Sequence, residues 1–333
     1  MTRTGCLCAV LALCALAAWP TAQADYPERK IRAVIPWGKG GATDNLMRAL
    51  TPLAERALGQ QIELMNWRGN SAVTGSRHVL SQRADGYTLL LGAENPQLYP
   101  VLGLAEFDYG DFQPINIIAQ NTALIAVRND SPWQSMAQLL AAARANPGSL
   151  RMGGTGPGGL PGTVHAMINA VDAFALDVVP FGGDGPGISA LREGRIDFMP
   201  ITLASARESL RSGQLRALAV VARQAHPELP AVAPITEALP GIAEYLPWGP
   251  FYGVFVRRDT PDEIKRTLTK AYSRAVASTD FQRFLSNAGT QSLNIHGAEA
   301  EAFLKRWQSV TAWSLYKARA IEVSPDSVGI AQP

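Results

Sequence analysis

The chain has 333 residues, 47% of them hydrophobic and 17% charged, and a formal net charge of +2. That length accommodates a large core and about two domains, and the apolar content excludes global disorder. Lys and Arg total 30 against 28 Asp and Glu, with no basic arm, so a nucleic-acid partner is not indicated.

The N-terminus reads as an export signal. Arg3 is the only charge before Asp25, Gly5 to Trp19 is an apolar run, and Ala22-Gln23-Ala24 has the small-x-small form. A signal peptide over residues 1–24, cleaved after Ala24, is expected. The run is too short to span a bilayer, and no other stretch reaches the ~20 apolar residues a span needs. The rival reading, a lipoprotein signal at Cys14, meets Leu13 where such a signal has a small residue. Cys6, Cys8 and Cys14 are the only cysteines. Cleavage would leave no thiol, which excludes disulfides and cysteine chemistry from the exported chain.

The rest alternates short apolar runs with helix-period segments, the pattern of an α/β protein with largely parallel sheets. Ile31 to Ile35 reads as a first strand, and Gly38-Lys39-Gly40-Gly41 as a loop. Thr43 or Asp44 is placed to cap the next helix, Gly59 to end it, and Pro52 to kink it. A strand at 62–65, a helix at 74–81 and a strand at 87–91 complete a βαβαβ unit. Apolar runs follow over 115–127, then a helix at 135–145. A second α/β series has strands near 150–152, 178–180, 196–200 and 215–221, with helices at 163–171 and 187–192. Thr260-Pro261-Asp262-Glu263 reads as a capping box with Pro at the first helical position. It opens a helix followed by two more, at 280–287 and 298–319. In the last, Phe303, Leu304, Trp307 and Val310 form a stripe that reads as core packing.

Three glycine-rich loops stand between strands and helices: Gly38 to Asp44, Gly153 to Gly162, and Gly182 to Gly187. Helix N-termini offer unpaired N–H donors and partial positive charge, and glycine lets a ligand approach the backbone. Three such loops in a doubled α/β pattern point to an anion-binding cleft. Gly154, Gly156 and Gly159 match the dinucleotide fingerprint by spacing, but Pro157 and Pro161 interrupt the turn, and no acidic ribose partner follows a clear second strand. No P-loop, nucleophile elbow or zinc-protease motif is present. His78, His165, His226 and His296 are scattered without metal-ligand spacing. A Ser71–His78 pair is the nearest thing to a nucleophile with a base, without local support. No cofactor, metal or catalytic residue is expected.

The residues also resemble a known family, the periplasmic receptors of tripartite tricarboxylate transporters, or Bug receptors. The resemblance runs through Tyr26-Pro27, Ile35-Pro36, Gly40-Gly41 with Thr43-Asp44, Leu58-Gly59-Gln60, Asn66 and Asp85 to Leu90. It continues with Pro180-Phe181, Gly185-Pro186, Gly194 to Asp197, Gly213 to Ala219, Leu239 to Gly241 and Pro261 to Ile264. It covers essentially the whole chain after the signal. It implies a type II periplasmic-binding fold: two α/β lobes joined by two crossing segments, with the ligand cleft between them. Lobe 1 is expected over 25–125 and 253–333 and lobe 2 over 126–252, with crossings near Leu124 to Val127 and near Tyr252 to Val256. The C-terminal helices are expected to return to lobe 1.

The resemblance implies a monomeric receptor that closes on a small carboxylate and presents it to membrane transporter subunits. The ligands would be di- or tricarboxylates, acidic amino acids or aromatic acids. A sensor subunit for a membrane signalling partner is the alternative, and a periplasmic hydrolase a remoter one. By position, Gly40, Gly41, Thr43 and Asp44 would meet the ligand from lobe 1, and Thr155, Thr163, Phe181 and Gly183 from lobe 2. Trp37, Lys39, Ser71, Asn95, Gly156, Asp184 and Thr202 complete the expected binding set. The chain departs from the family pattern at Trp37-Gly38-Lys39, at Asn66-Trp67-Arg68-Gly69 and at Thr163, where a His is usual. Asp184 also stands where a small residue is common. It could recognise an amine or repel an anion.

Overall fold

The structure is a computed structural model and describes residues 26–156 and 158–333. The expected leader and its cleavage after Ala24 lie outside the described residues, as does Pro157.

Two sheets organise the molecule. The first half opens with β1 (Ile31–Ile35), α1 (Ala42–Leu58), β2 (Ile62–Asn66), α2 (Val73–Leu80) and β3 (Thr88–Ala93). Then β4 (Phe112–Asn121) ends this part of the first sheet. The second sheet takes β5 (Ala123–Arg128), β6 (Arg151–Gly154), β7 (Asp177–Pro180), β8 (Phe198–Thr202) and β9 (Leu215–Val220). Its helices are α3 (Met136–Ala145), α4 (Leu160–Val171), α5 (Asp184–Arg192) and α6 (Leu203–Arg211), followed by the short α7 (Ile235–Ala238). The chain then re-enters the first sheet with β10 (Phe251–Arg257) and adds α8 (Asp262–Val276), α9 (Thr279–Ala288), β11 (Thr290–Ile295) and α10 (Gly297–Lys317).

The strand orders are β11-β4-β10-β3-β1-β2 and β7-β6-β8-β5-β9. The expectation of largely parallel sheets needs correction. β1 pairs in parallel with β2 and β3, and β6 with β7 and β8. The strands next to the sheet changes, β5 and β10, run antiparallel to both of their neighbours. A strand that enters a sheet directly from the other lobe, without a crossover helix, is free to run against its neighbours. The first sheet change falls at Thr122, between β4 and β5, and Leu124 to Val127 form the buried middle of β5. The return lies between β9 and β10.

Local chemistry explains most element ends. Gly59 closes α1 in the left-handed region at φ 70°, with its N–H on Glu55 C=O, as glycine does without a steric penalty. The helix runs on through Pro52, which is exposed. The capping box at Thr260 does not form: Pro261 is the N-cap of α8, and the buried Thr260 hydroxyl has no hydrogen-bond partner. The helix start has moved one residue along, out of reach of the Thr260 side chain. Likewise α4 begins at Leu160, with Gly159 as N-cap and Pro161 in its first turn, a position where its missing N–H is harmless.

The apolar core crosses between the lobes. Leu90, Phe251 and Phe255 of the first sheet join through Trp248 and Trp307 to Val164 and Met167 of α4. The C-terminal helix α10 packs on both β4 and α4, so it belongs to both lobes. Trp248 and Trp307 stack at 5.9 Å, and their indole N–H groups reach Thr311 Oγ1 at 2.9 Å and Gly249 C=O at 2.8 Å.

Candidate functional site

The parallel strands decide where a ligand can go. α1 and α2 start beyond the carboxyl ends of β1 and β2, and α4, α5 and α6 beyond those of β6, β7 and β8. These ends face one another. A Cβ on Gly158, before α4, would sit 2.8 Å from Leu102 and 3.2 Å from Leu98, which follow β3. Glu94, also after β3, feels the charge of Asp184 at the start of α5. Ligands of α/β sheets bind in such crevices outside the carboxyl ends of strands.

The lobe 1 wall is fixed by a buried hydrogen-bonded knot. Asp44 is placed at the third position of α1, and the N-cap is Gly41 without a side-chain cap. The expectation that Thr43 or Asp44 caps the helix is therefore corrected: Asp44 reaches backwards instead. Its carboxylate accepts from Gly40 N–H at 2.9 Å, Arg48 Nε at 2.9 Å and Asn66 Nδ2 at 2.8 Å. Burial alone would raise its pKa, but these donors outweigh it and hold the carboxyl down at about 2. Asn66 also donates to Trp37 C=O at 3.0 Å and accepts from Arg48 at 2.8 Å. Thr43 is buried, while Gly40 and Gly41 are exposed. Lys39 is exposed, and Trp37 packs on the first-sheet core with its indole N–H unpaired.

Before α2, Asn70, Ser71 and Ala72 all take positive φ, at 44°, 50° and 75°. Three such residues in a row are unfavourable without a surrounding structure that imposes them. Tyr99 supplies part of it, donating its hydroxyl to Ser71 C=O at 2.9 Å. Asn95 is half-buried, in a 3₁₀ turn over Asn95–Leu98.

On lobe 2, Thr155 is half-buried and Gly156 exposed at φ 93°. Thr163 is 1% exposed, inside α4, with its hydroxyl 3.5 Å from Gly158 C=O. Of the glycines before α4, Gly158 lies against Leu98 and Leu102 of lobe 1. Phe181 packs on the second-lobe core, and its N–H reaches Gly154 C=O at 2.8 Å. Gly183, the N-cap of α5, has φ 139°, a backbone few other residues adopt. Thr202 caps α6, accepting from Ser205 N–H at 3.1 Å and donating to Ser205 Oγ at 2.9 Å. Ser205 Oγ then donates to Asp184 at 2.7 Å. Burial raises the Asp184 carboxyl above its ordinary range, against the Ser205 bond.

Seven residues that sequence reasoning did not single out for the site join this crevice. A cavity of about 400 Å³ is lined by Asn45 of α1, Ser205 and Arg207 of α6, and Asn121, Tyr252 and Thr290 at the sheet changes and β11. Thr290 Oγ1 donates to Asn121 Oδ1 at 2.7 Å, and Asn121 Nδ2 donates to Tyr252 OH at 2.9 Å. Glu94 is the seventh and lies outside that lining. Its carboxylate accepts from its own N–H and that of Phe251, and burial pushes it up to about 7. Only Glu94 left a sequence signal, a lone acid at the carboxyl end of a parallel strand.

The enzyme alternative finds no support in this geometry. Ser71 is engaged through its backbone, and His78 stacks on Trp67 at 3.9 Å. His165 is packed edge-on against Phe174 at 5.6 Å, and burial lowers its pKa to about 4.

A family model for the tripartite tricarboxylate transporter family receptor matches residues 46–311. The chain belongs to that receptor family. Among curated relatives, a UPF0065 protein of the tcbD-tcbE intergenic region of Pseudomonas sp. strain P51 is 32% identical over 80% of this chain and 80% of its own. Protein BugT of Bordetella pertussis is 27% identical over 84% of this chain and 86% of its own. Among solved structures, a Rhodopseudomonas palustris protein with adipate superposes with a TM-score of 0.78 at 25% identity, covering 89% of this chain and 99% of its own. MatC of Rhodopseudomonas palustris, with bound malate, gives 0.70 at 27%, covering 89% and 98%. The receptor is thus a periplasmic solute-binding protein of the type II fold and not an enzyme. No described helix is long and apolar enough to cross a membrane.

Proposed function

We propose that this receptor captures a small carboxylate in the crevice between its lobes and presents it to the membrane subunits of a tripartite tricarboxylate-type transporter. One observation carries the reading. Of the five helices that start at the crevice, α1, α2, α4 and α5 have no side-chain cap at the N-terminus, while α6 is capped by Thr202. Away from the crevice α3 and α9 are capped by Ser135 and Ser278, and α8 and α10 are not capped by a side chain. Uncapped N-termini leave N–H donors and partial positive charge for an anion. Relatives whose structures hold adipate and malate support the same ligand class. Exposed Gly40 and Gly41, the Asn70–Ala72 turn, and the loops at Thr155–Gly156 and Gly183 would supply the contacts. The ligand would favour the approach of the lobes by touching both.

A thermal-shift screen of the purified protein against small mono-, di- and tricarboxylates tests this. A ligand at ~100-fold above its dissociation constant adds about 2.7 kcal/mol of stability. Gly41→Trp should abolish the shift without unfolding the chain. Gly41 has ordinary backbone angles, and a Cβ there would meet nothing nearer than Gly38 C=O at 3.6 Å. No shift with any carboxylate, from ligand-free protein, overturns the reading.

A further inference from the structure

We infer that the crevice selects carboxylates that also carry an ammonium group, with the ammonium held between Glu94 of lobe 1 and Asp184 of lobe 2. This rests on the carboxylate-receptor reading and narrows it.

The two acids come from opposite walls. Glu94 follows β3 and is pinned by the Phe251 N–H. Asp184 begins α5 and is pinned by Ser205 Oγ at 2.7 Å. Glu94 feels the charge of Asp184, Tyr252 of β10 feels both, and Tyr252, paired with Ala93 beside Glu94, lines one cavity with Ser205, the partner of Asp184. Tyr109, buried beneath Glu94, donates its hydroxyl to Ala93 C=O at 2.6 Å and so offers Glu94 no proton. Neither acid has a cationic partner among the described residues. Arg207, which lines the adjoining cavity, pairs with Glu228 through its terminal nitrogen while its buried Nε has no partner.

Two partly desolvated carboxylates without a counter-ion are relieved by protonation, as burial of Glu94 favours, or by a cation that a ligand supplies. A metal ion is a poor candidate, because no described cluster brings together three or more acid, His or Cys ligands. A plain dianion would meet like charge from both walls. An ammonium matches both in charge and donor number.

The adjoining cavity supplies an independent pointer. The Tyr252 hydroxyl already accepts from Asn121, whose amide is oriented by Thr290, so the O–H hydrogen must point away from Asn121. Tyr252 is only 6% exposed, lines the cavity beside Ser205, and donates to no described residue. A buried donor left open next to two acids fits a zwitterion: carboxylate on the hydroxyl and helix N-termini, ammonium on the acids.

Calorimetry on the purified protein separates the outcomes. The probes are the common amino acids and the acids that lack only the α-amino group, such as aspartate with succinate and glutamate with glutarate. The expected result is at least tenfold tighter binding of an amino member at pH 8, with a smaller advantage at pH 6, where Glu94 is protonated. Asp184→Asn and Glu94→Gln, which keep shape and hydrogen bonds, should each erase that advantage while leaving the des-amino acid bound as well or better. Equal or tighter binding of the des-amino acids by the unaltered protein overturns the ammonium assignment and leaves the carboxylate reading standing. An amino-acid advantage that survives both substitutions overturns it as well. Failure of every probe, from ligand-free protein, overturns both readings.

Discussion

The side-chain amide of Asn66 donates to Asp44 at 2.8 Å, tying the end of β2 to the first turn of α1. The same carboxylate holds the Gly40 N–H, so one buried acid fixes the shape of the loop on lobe 1. Arg48, one helical turn on, completes the knot at 2.9 Å. The acid of Gly40-Gly41-Ala42-Thr43-Asp44 therefore has a structural role. Asp44 shapes the loop, and the loop leaves the helix N-terminus open.

Asp44→Ala should destabilise the protein by about 2 kcal/mol at neutral pH. The folded-state carboxyl sits near 2, below its unfolded value of 3.8. Its stabilisation is therefore complete above about pH 4 and fades as the pH falls towards 2. Chemical denaturation of both proteins at pH 7 and pH 3 checks this. An equal difference at both values would show that Asp44 acts through packing alone.

Glu94 should behave in the opposite sense. Its folded-state carboxyl titrates near 7, above the ordinary value of 4.5, chiefly because of burial. Between those values the unfolded chain has lost a proton that the folded chain keeps, so stability falls as pH rises through that window. Glu94→Gln should raise stability by roughly 2–3 kcal/mol at pH 8 and leave it unchanged at pH 4. Melting temperatures across pH 4 to 8 would show it, and a parallel offset at all pH values would count against it.

These two acids mark what a sequence can and cannot disclose. Gly59 announced the end of α1 because a left-handed residue at a helix end has few occupants. The glycine loops were legible because strand, glycine and helix follow one another locally. β11 was not, since Gln291, Ser292 and Asn294 break the apolar alternation and its pairing with β4 slips after Ser292. The direction of β5 and β10 leaves no periodic trace at all. Asp184 and Ser205 meet within lobe 2 through two neighbouring helices, Glu94 comes to them only from the other lobe, and no local spacing encodes either.

Gly75 offers a test of how the strained turn is supported. It lies in α2, and a Cβ there would approach Trp67 C=O to 2.6 Å and Pro36 Cβ to 2.9 Å. Backbone and a proline ring have little freedom to yield. Gly75→Ala should push α2 off β1, destabilise the protein by roughly 1–3 kcal/mol, and loosen the Asn70–Ala72 turn ahead of it. Urea denaturation measures the first effect, and amide exchange at residues 70–72 the second. A variant as stable as the parent would mean that α2 shifts freely.

Tyr252→Phe separates the two roles of one hydroxyl. As an acceptor, Tyr252 satisfies the buried Asn121 amide at 2.9 Å. Removing it strands that N–H and should lower stability by roughly 1–2 kcal/mol. As a donor, it would serve the ligand carboxylate, because burial keeps the phenol protonated far above the physiological range. Affinity for the acid with the largest thermal shift should therefore fall about tenfold at constant pH. Thr290→Val gives the matching control. It frees Asn121 Oδ1 from its 2.7 Å partner but leaves the Tyr252 hydroxyl in place. It should cost similar stability with little loss of affinity. Comparable losses of affinity in both variants would mean that the polar floor is structural and that Tyr252 does not touch the ligand.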